Sequence, residues 1–134
     1  MYLVDTNVLS EARRGRAEAR DWLRSVDPDH VFLSVVTVGE IMKGVSQKAR
    51  TDPVAAGVLG RWLEQLRTDH ARRILPIDDA VALEWGQIAA TRPRDMADAL
   101  IAATARVHRK TLVTRNVAEF RDLDVAIIDP WNAP

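Results

Sequence analysis

Residues 1–15 read MYLVDTNVLSEARRG. Tyr2, Leu3 and Val4 make a short apolar run of the kind that forms a buried strand. The run stops on a carboxylate, Asp5, followed by Thr6 and Asn7. The pattern then turns helical, which predicts one helix over 7–13 and, beyond Gly15, a second over 17–25. A strand that ends on an acid and passes at once into a helix is the start of a β/α unit. One acid there carries little information. Its meaning depends on whether acids elsewhere in the chain are placed to meet it.

Working outward, the alternation continues. Asp27-Pro28-Asp29 reads as a turn, VFLSV (31–35) as a second strand, and TVGEIMKGVSQKA (37–49) as an amphipathic helix with an N-terminal signal at Thr37. A long helix is predicted over 53–72, where Val58, Leu59, Trp62, Leu63 and Leu66 recur on one face. RILPI (73–77) is a third strand, and Asp78 caps a helix over 79–90. After the turn RPRD comes the strongly apolar helix MADALIAATARVHR (96–109), then the strand KTLVT (110–114), a turn or short helix over 116–121, and the strand VAIID (125–129). Short, continuous apolar strands alternating with helices predict an α/β fold: a short parallel sheet of four to five strands with helices on both faces. In such sheets the site lies outside the carboxyl ends of the strands.

Composition narrows the class. The 134 residues fit a single domain, 1–134, large enough for a real core. Hydrophobic residues make up 47% and charged residues 28%, which is a globular composition rather than a disordered one. No apolar run approaches the roughly 20 residues that span a bilayer, and no secretory signal opens the chain. The absence of cysteine excludes disulfide scaffolds and Cys-based zinc sites. A reducing cytoplasm is the expected setting. Lys+Arg and Asp+Glu both number 19, so the net charge is zero. A balanced total can still hide an acidic pocket with a basic rim. Arginines cluster at 13, 14, 16 and 20, at 72 and 73, and at 106 and 109 beside Lys110.

Four acidic positions fall at the carboxyl edge of such a sheet. Asp5 ends the first strand, and Glu40 lies in the first turn of the helix after the second. Asp95 and Asp98 open the apolar helix before the fourth strand, and Glu119 follows that strand beside Asn116. Each has a local explanation. Asp5 and Asp95 can cap helices, Thr37 and Glu40 match a capping box, and Glu119 can be a solvated loop acid. Together, converging carboxylates repel one another and persist where a cation neutralises them. Oxygen donors without Cys or a His trio suit Mg²⁺ or Mn²⁺, whose work in such a site is phosphoryl or phosphodiester chemistry. His30, His70 and His108 lack ligand spacing.

LVDTNVLSE, LSVVTVGEI, DALIAATA and LVTRNVAEF, in that order across nearly the whole chain, resemble the signature segments of PIN-domain ribonucleases, most of all VapC-type toxins of the FitB-like branch from type II toxin–antitoxin pairs. The resemblance implies a PIN-like three-layer fold and a Mg²⁺- or Mn²⁺-dependent endoribonuclease. It places the family's first three acids on Asp5, Glu40 and Asp98. The fourth acidic position falls on Asn116 or on Glu119. Asp5, Asp98, Glu40 and Asn116 are the implied metal ligands, Glu119 joins the first three acids as a catalytic candidate, and Thr6, Thr114 and Arg115 support water, phosphate or RNA backbone. The implied partners are RNA, a cognate antitoxin whose segment covers the helices at 37–49 and 53–72, and a second copy of the chain. Trp131 in the tail either anchors the C-terminus or meets a partner. A non-catalytic module that binds RNA or protein, and a phosphotransfer domain, are the competing readings. The second lacks the D-x-D-x-T or acid-pair pattern, since the chain offers D-T-N.

Overall fold

The computed structural model describes residues 1–132. Five strands, β1 (Tyr2–Val4), β2 (Val31–Ser34), β3 (Ile74–Leu75), β4 (Thr111–Val113) and β5 (Ile127–Ile128), pair in the order β3-β2-β1-β4-β5, every pair parallel. Six helices connect them: α1 (Thr6–Arg13), α2 (Ala17–Ser25), α3 (Val35–Lys48), α4 (Pro53–Asp69), α5 (Asp79–Ala89) and α6 (Met96–Val107). Every predicted element is present, most with ends shortened by one to three residues. The turn at 27–29 is a single 3-10 turn, Pro28–His30, and that at 116–121 is another, Val117–Glu119.

The strands alternate their side chains between two faces, and both faces are covered. Leu3 and Leu112, opposite one another in the β1–β4 register, enter a core with Val81 and Ile88 of α5, Ile101 and the alanines of α6, and Phe120. Val4 and Val113, the next pair, enter a second core with Val8 and Leu9 of α1, Ala19 of α2 and Leu33 of β2. Trp22 and Trp62 pack against this second core, and Trp85 against the first. This is the three-layer α/β architecture that the alternation predicts. Among the described residues no helix is long and apolar enough to cross a membrane.

One boundary differs in a way that matters. α3 starts at Val35, capped by Ser34, whose hydroxyl accepts from Val36 N at 3.0 Å. The capping box of Thr37 with Glu40 therefore does not form, and Glu40 sits in the second turn of α3 rather than its first. Ser34 is buried at the end of β2, so the strand passes into the helix with no intervening loop. Thr37 is buried as well. The predicted cap at Asp78 is present, its carboxylate accepting from Val81 N at 3.0 Å.

Candidate active site

β1 is the central strand. The chain runs outward through β2 and β3, then returns to place β4 on the other side of β1. The carboxyl ends of β1 and β4 thus flank the point where strand order reverses, which is where open α/β sheets leave a crevice. Asp5 N donates to Val113 O at 2.8 Å, which extends the β1–β4 ladder one residue and fixes the Asp5 backbone at the mouth of that crevice.

Asp5 is only 4% exposed. It caps α1 through Oδ1, which accepts from Thr6 N at 2.8 Å. Oδ2 accepts from Thr114 Oγ1 at 2.9 Å and from Asn7 Nδ2 at 3.2 Å. Burial raises the pKa of the Asp5 carboxyl above its ordinary value, and these hydrogen bonds oppose the rise. The neighbouring Glu40 charge adds to it. Thr114 is fully buried, and its hydroxyl oxygen also accepts from Asn116 N at 3.0 Å. Asn7 completes the frame, accepting from Arg115 N at 3.2 Å through Oδ1. Asn7 is a site residue that sequence reasoning did not select. Its signal was its position two residues after an acid that ends a buried strand.

Thr6 joins the second acid to the first. Its hydroxyl donates to Glu40 Oε1 at 2.7 Å and stands 3.0 Å from Thr37 Oγ1. The third acid stands at the head of α6. Asp95 is the cap, accepting from Asp98 N at 3.0 Å, so the Asp98 carboxylate is left free of capping duty. Asp98 has its pKa raised to about 6, first by burial and then by the charges of Asp5, Asp95, Glu119 and Glu40. The four predicted acids thus act on one another electrostatically.

The last acid rides on a braced loop. Arg94, whose side chain is 3% exposed, donates to Glu119 O at 3.0 Å, to Thr91 Oγ1 at 3.0 Å and to the Asp122 carboxylate. Arg92 adds a bond to Asp122 at 3.2 Å. The two guanidinium groups hold the Asp122 carboxyl well below the usual carboxylate range. The brace ties residues 119–122 to the loop before α6, and Asp98, Arg94 and Glu119 line one small crevice. Asn116 is exposed, and its side chain makes no cap bond. The Glu119 carboxylate is near enough for its charge to act on Asp98. Arg115 turns to the tail, its guanidinium 4.7 Å from the Trp131 ring centroid. Trp131 packs against the second core, and its backbone N–H donates to the Asp129 carboxylate at 3.0 Å.

Among the described residues no three His, Cys, Asp or Glu side chains close into a ready-made cage around an ion. The charges of Asp5, Glu40 and Glu119 all act on Asp98, yet no three of the acids form a ready-made ligand set. That spacing, with oxygen as the sole donor type, fits a hydrated hard cation such as Mg²⁺, which keeps several of its waters. It does not fit a fully protein-enclosed ion.

Residues 2–126 match the family model described as "PIN domain". The chain belongs to the PIN-domain family. It is 39% identical to toxin FitB of Neisseria gonorrhoeae over 98% of this chain and 99% of that one. A crystal structure of FitAcB from the same organism superposes with a TM-score of 0.89, at 38% identity and covering 98% and 99% of the two chains. Ribonuclease VapC10 of Mycobacterium tuberculosis is 32% identical over 90% of this chain and 86% of its own. A toxin–antitoxin complex from Klebsiella pneumoniae superposes with a TM-score of 0.74, at 26% identity and covering 97% and 98%.

Proposed function

We propose that this chain is the ribonuclease toxin of a toxin–antitoxin pair, an endoribonuclease that depends on Mg²⁺ or Mn²⁺. The observation that carries this reading is the buried, hydrogen-bonded Asp5 facing Asp98, whose proton affinity the surrounding acids raise. Two acids held at such cost to one another suit a site built for a cation. The relatives named toxin FitB and ribonuclease VapC10 supply the activity class.

In this reading Asp5 and Asp98 hold the ion, with Glu40 and Glu119 joining directly or through water. When bound, a divalent ion supplies Lewis acidity toward a phosphate and a water. The chain's own groups do the rest. Thr114 and Asn7 hold Asp5 Oδ2, and Thr6 N holds Oδ1, so the carboxylate is fixed in place before an ion arrives. Thr6 holds Glu40 against the same mouth. In the metal-free protein the pKa of Asp98 is raised to about 6, so a cation that binds there competes with its proton. The Arg94 brace keeps Glu119 on the loop that closes the crevice.

An antitoxin is the partner this reading requires. α3 and α4 carry exposed apolar residues, Met42, Val54 and Val58, which suit the apolar face of a partner helix.

The deciding experiment is cleavage of a mixed-sequence single-stranded RNA with and without Mn²⁺. Asp5→Asn and Asp98→Asn are each expected to lower the metal-dependent rate at least about 100-fold. Full activity in both variants would end the proposal. The open spacing of the acids favours a second reading, a non-catalytic RNA- or protein-binding module. Calorimetry with Mn²⁺ separates the two: heat of binding that disappears in Asp98→Asn supports the nuclease, and no binding at millimolar metal supports the module.

A further inference from the structure

Glu40 stands at one end of a groove whose cations have no part in the roles given above. It lies between α1, α3 and α4 and encloses about 410 Å³, within the range of pockets that hold small ligands. Thr6 and Glu40 form its inner end, and Arg13, Lys48, Leu59 and Trp62 line it further out. It adjoins the acidic cluster through Glu40, whose charge acts on both Asp5 and Asp98.

Three cations, Arg13, Arg14 and Lys48, line this groove, and they differ in their pairing. Arg14 and Arg16 both pair with Glu11, at 3.0 and 3.3 Å. Arg13 and Lys48 have no ion-pair partner among the described residues. Arg13 instead lays its guanidinium over the Trp62 ring, 5.5 Å from the centroid. That contact fixes the direction of a long side chain and leaves its charge unneutralised. The groove thus has one carboxylate, Glu40, at its inner end and three cations along its wall, two of them unpaired among the described residues. A polyanion whose reacting phosphate lies at the acid end, with a cation there to receive it, finds its next phosphates opposite Arg13 and Lys48.

We propose that this groove holds the RNA strand next to the scissile phosphate. Arg13 and Lys48 contact backbone phosphates, and the Arg13–Trp62 stack gives one base a flat face to lie on, since bases stack on guanidinium planes as well as on rings. The proposal rests on the nuclease reading for its choice of ligand. A protein segment in the same groove would need acidic side chains spaced to meet both cations, whereas RNA presents a phosphate at every nucleotide.

The test is binding of a fluorescein-labelled, mixed-sequence single-stranded RNA to the whole protein in EDTA, read by anisotropy across a salt series. Both unpaired cations are exposed, so Arg13→Gln/Lys48→Gln keeps the side-chain stems and the fold, which thermal melting verifies. The double variant is expected to bind at least about 10-fold more weakly. Its plot of log K against log salt should be shallower by about 1.4, twice the roughly 0.7 per phosphate of a single strand. Arg24→Ala/Arg72→Ala removes the same charge elsewhere and should leave affinity at the wild-type value. Unchanged affinity and slope in the groove variant would overturn the proposal and give the groove to another occupant, such as an acidic protein segment. The two readings fail separately. RNA binding that depends on Arg13 and Lys48, without cleavage in Mn²⁺, sinks the nuclease and keeps the groove. Metal-dependent cleavage with unaltered binding in the double variant does the reverse.

Discussion

At the scale of single residues, the site is a contest between burial and hydrogen bonding. Asp5 ends a strand whose two preceding residues are wholly inside the protein. Thr6 N, Asn7 and Thr114 compensate its lost hydration. Asp98 has no such set of donors, and the result is a pKa raised to about 6. The sign of the consequence is definite. An acid whose pKa is higher in the folded than in the unfolded chain stabilises the fold most below the unfolded value, and that stability is lost as pH rises through the folded one. The metal-free protein should therefore lose stability between about pH 4 and pH 6, with Asp5 acting in the same direction. Asp122 acts oppositely, but only in more acid solution, because its carboxyl lies below the usual range. Asp98→Asn should stabilise the metal-free protein at neutral pH by about 1 kcal/mol, since water partly screens this half-buried group. Urea denaturation in EDTA at about pH 4.5 and about pH 7.5 checks this. A variant with the same pH dependence as wild type would refute it.

At the scale of elements, helix starts and one loop brace set the geometry. α1, α3 and α6 begin at the carboxyl edge and are capped by Asp5, Ser34 and Asp95. The helix N-termini favour the negative charges gathered there. The brace of Arg94 to Glu119 O, Thr91 and Asp122 is the least local of these devices, since it crosses about 28 residues of sequence. Arg94→Met keeps most of the side-chain volume but leaves the Glu119 carbonyl and the Asp122 carboxylate to Arg92 alone and takes the donor from the Thr91 hydroxyl. It should cost about 2 kcal/mol and, if the chain is the metal-dependent nuclease proposed above, lower its cleavage rate about 10- to 100-fold, as loss of outer supporting bonds does at metal sites. A urea midpoint and a cleavage assay with saturating Mn²⁺ test this together. A stable variant with wild-type cleavage would show that the loop needs no brace.

At the scale of the whole molecule, the sheet is thin and its strands are short, so helix packing carries the architecture. α6 makes this possible with small residues. Ala99, Ala102, Ala103 and Ala105 are all buried, and they let the helix approach both α5 and the sheet. Ala102→Leu would force three extra carbons into this contact and should cost about 1–3 kcal/mol by overpacking, read as a lower denaturation midpoint. Because Asp98 lies one turn away on the same helix, the variant should also weaken Mn²⁺ binding in calorimetry. Unchanged stability would mean that α6 is held less closely than the structure indicates.

The order of elements, the parallel sheet and the four acids at its carboxyl edge were legible because each rests on local pattern. Apolar runs of strand length, helical spacing and the residue that ends a strand are all short-range features of the chain. The start of α3 was misplaced for the same reason: Thr37 and Glu40 satisfy a capping pattern, but the buried Ser34 hydroxyl at the end of β2 takes the cap two residues earlier. Asn7 and Arg94 escaped notice because their meaning lies in partners more than twenty residues away. The sequence by itself determined which residues could carry charge to the crevice, since side-chain chemistry and strand ends are fixed by local order. Only the tertiary structure decided that the Glu119 carboxylate comes near enough for its charge to bear on Asp98, and that Arg13 lines the groove without an ion-pair partner among the described residues. Both outcomes depend on distances through space, and chain distance does not encode those.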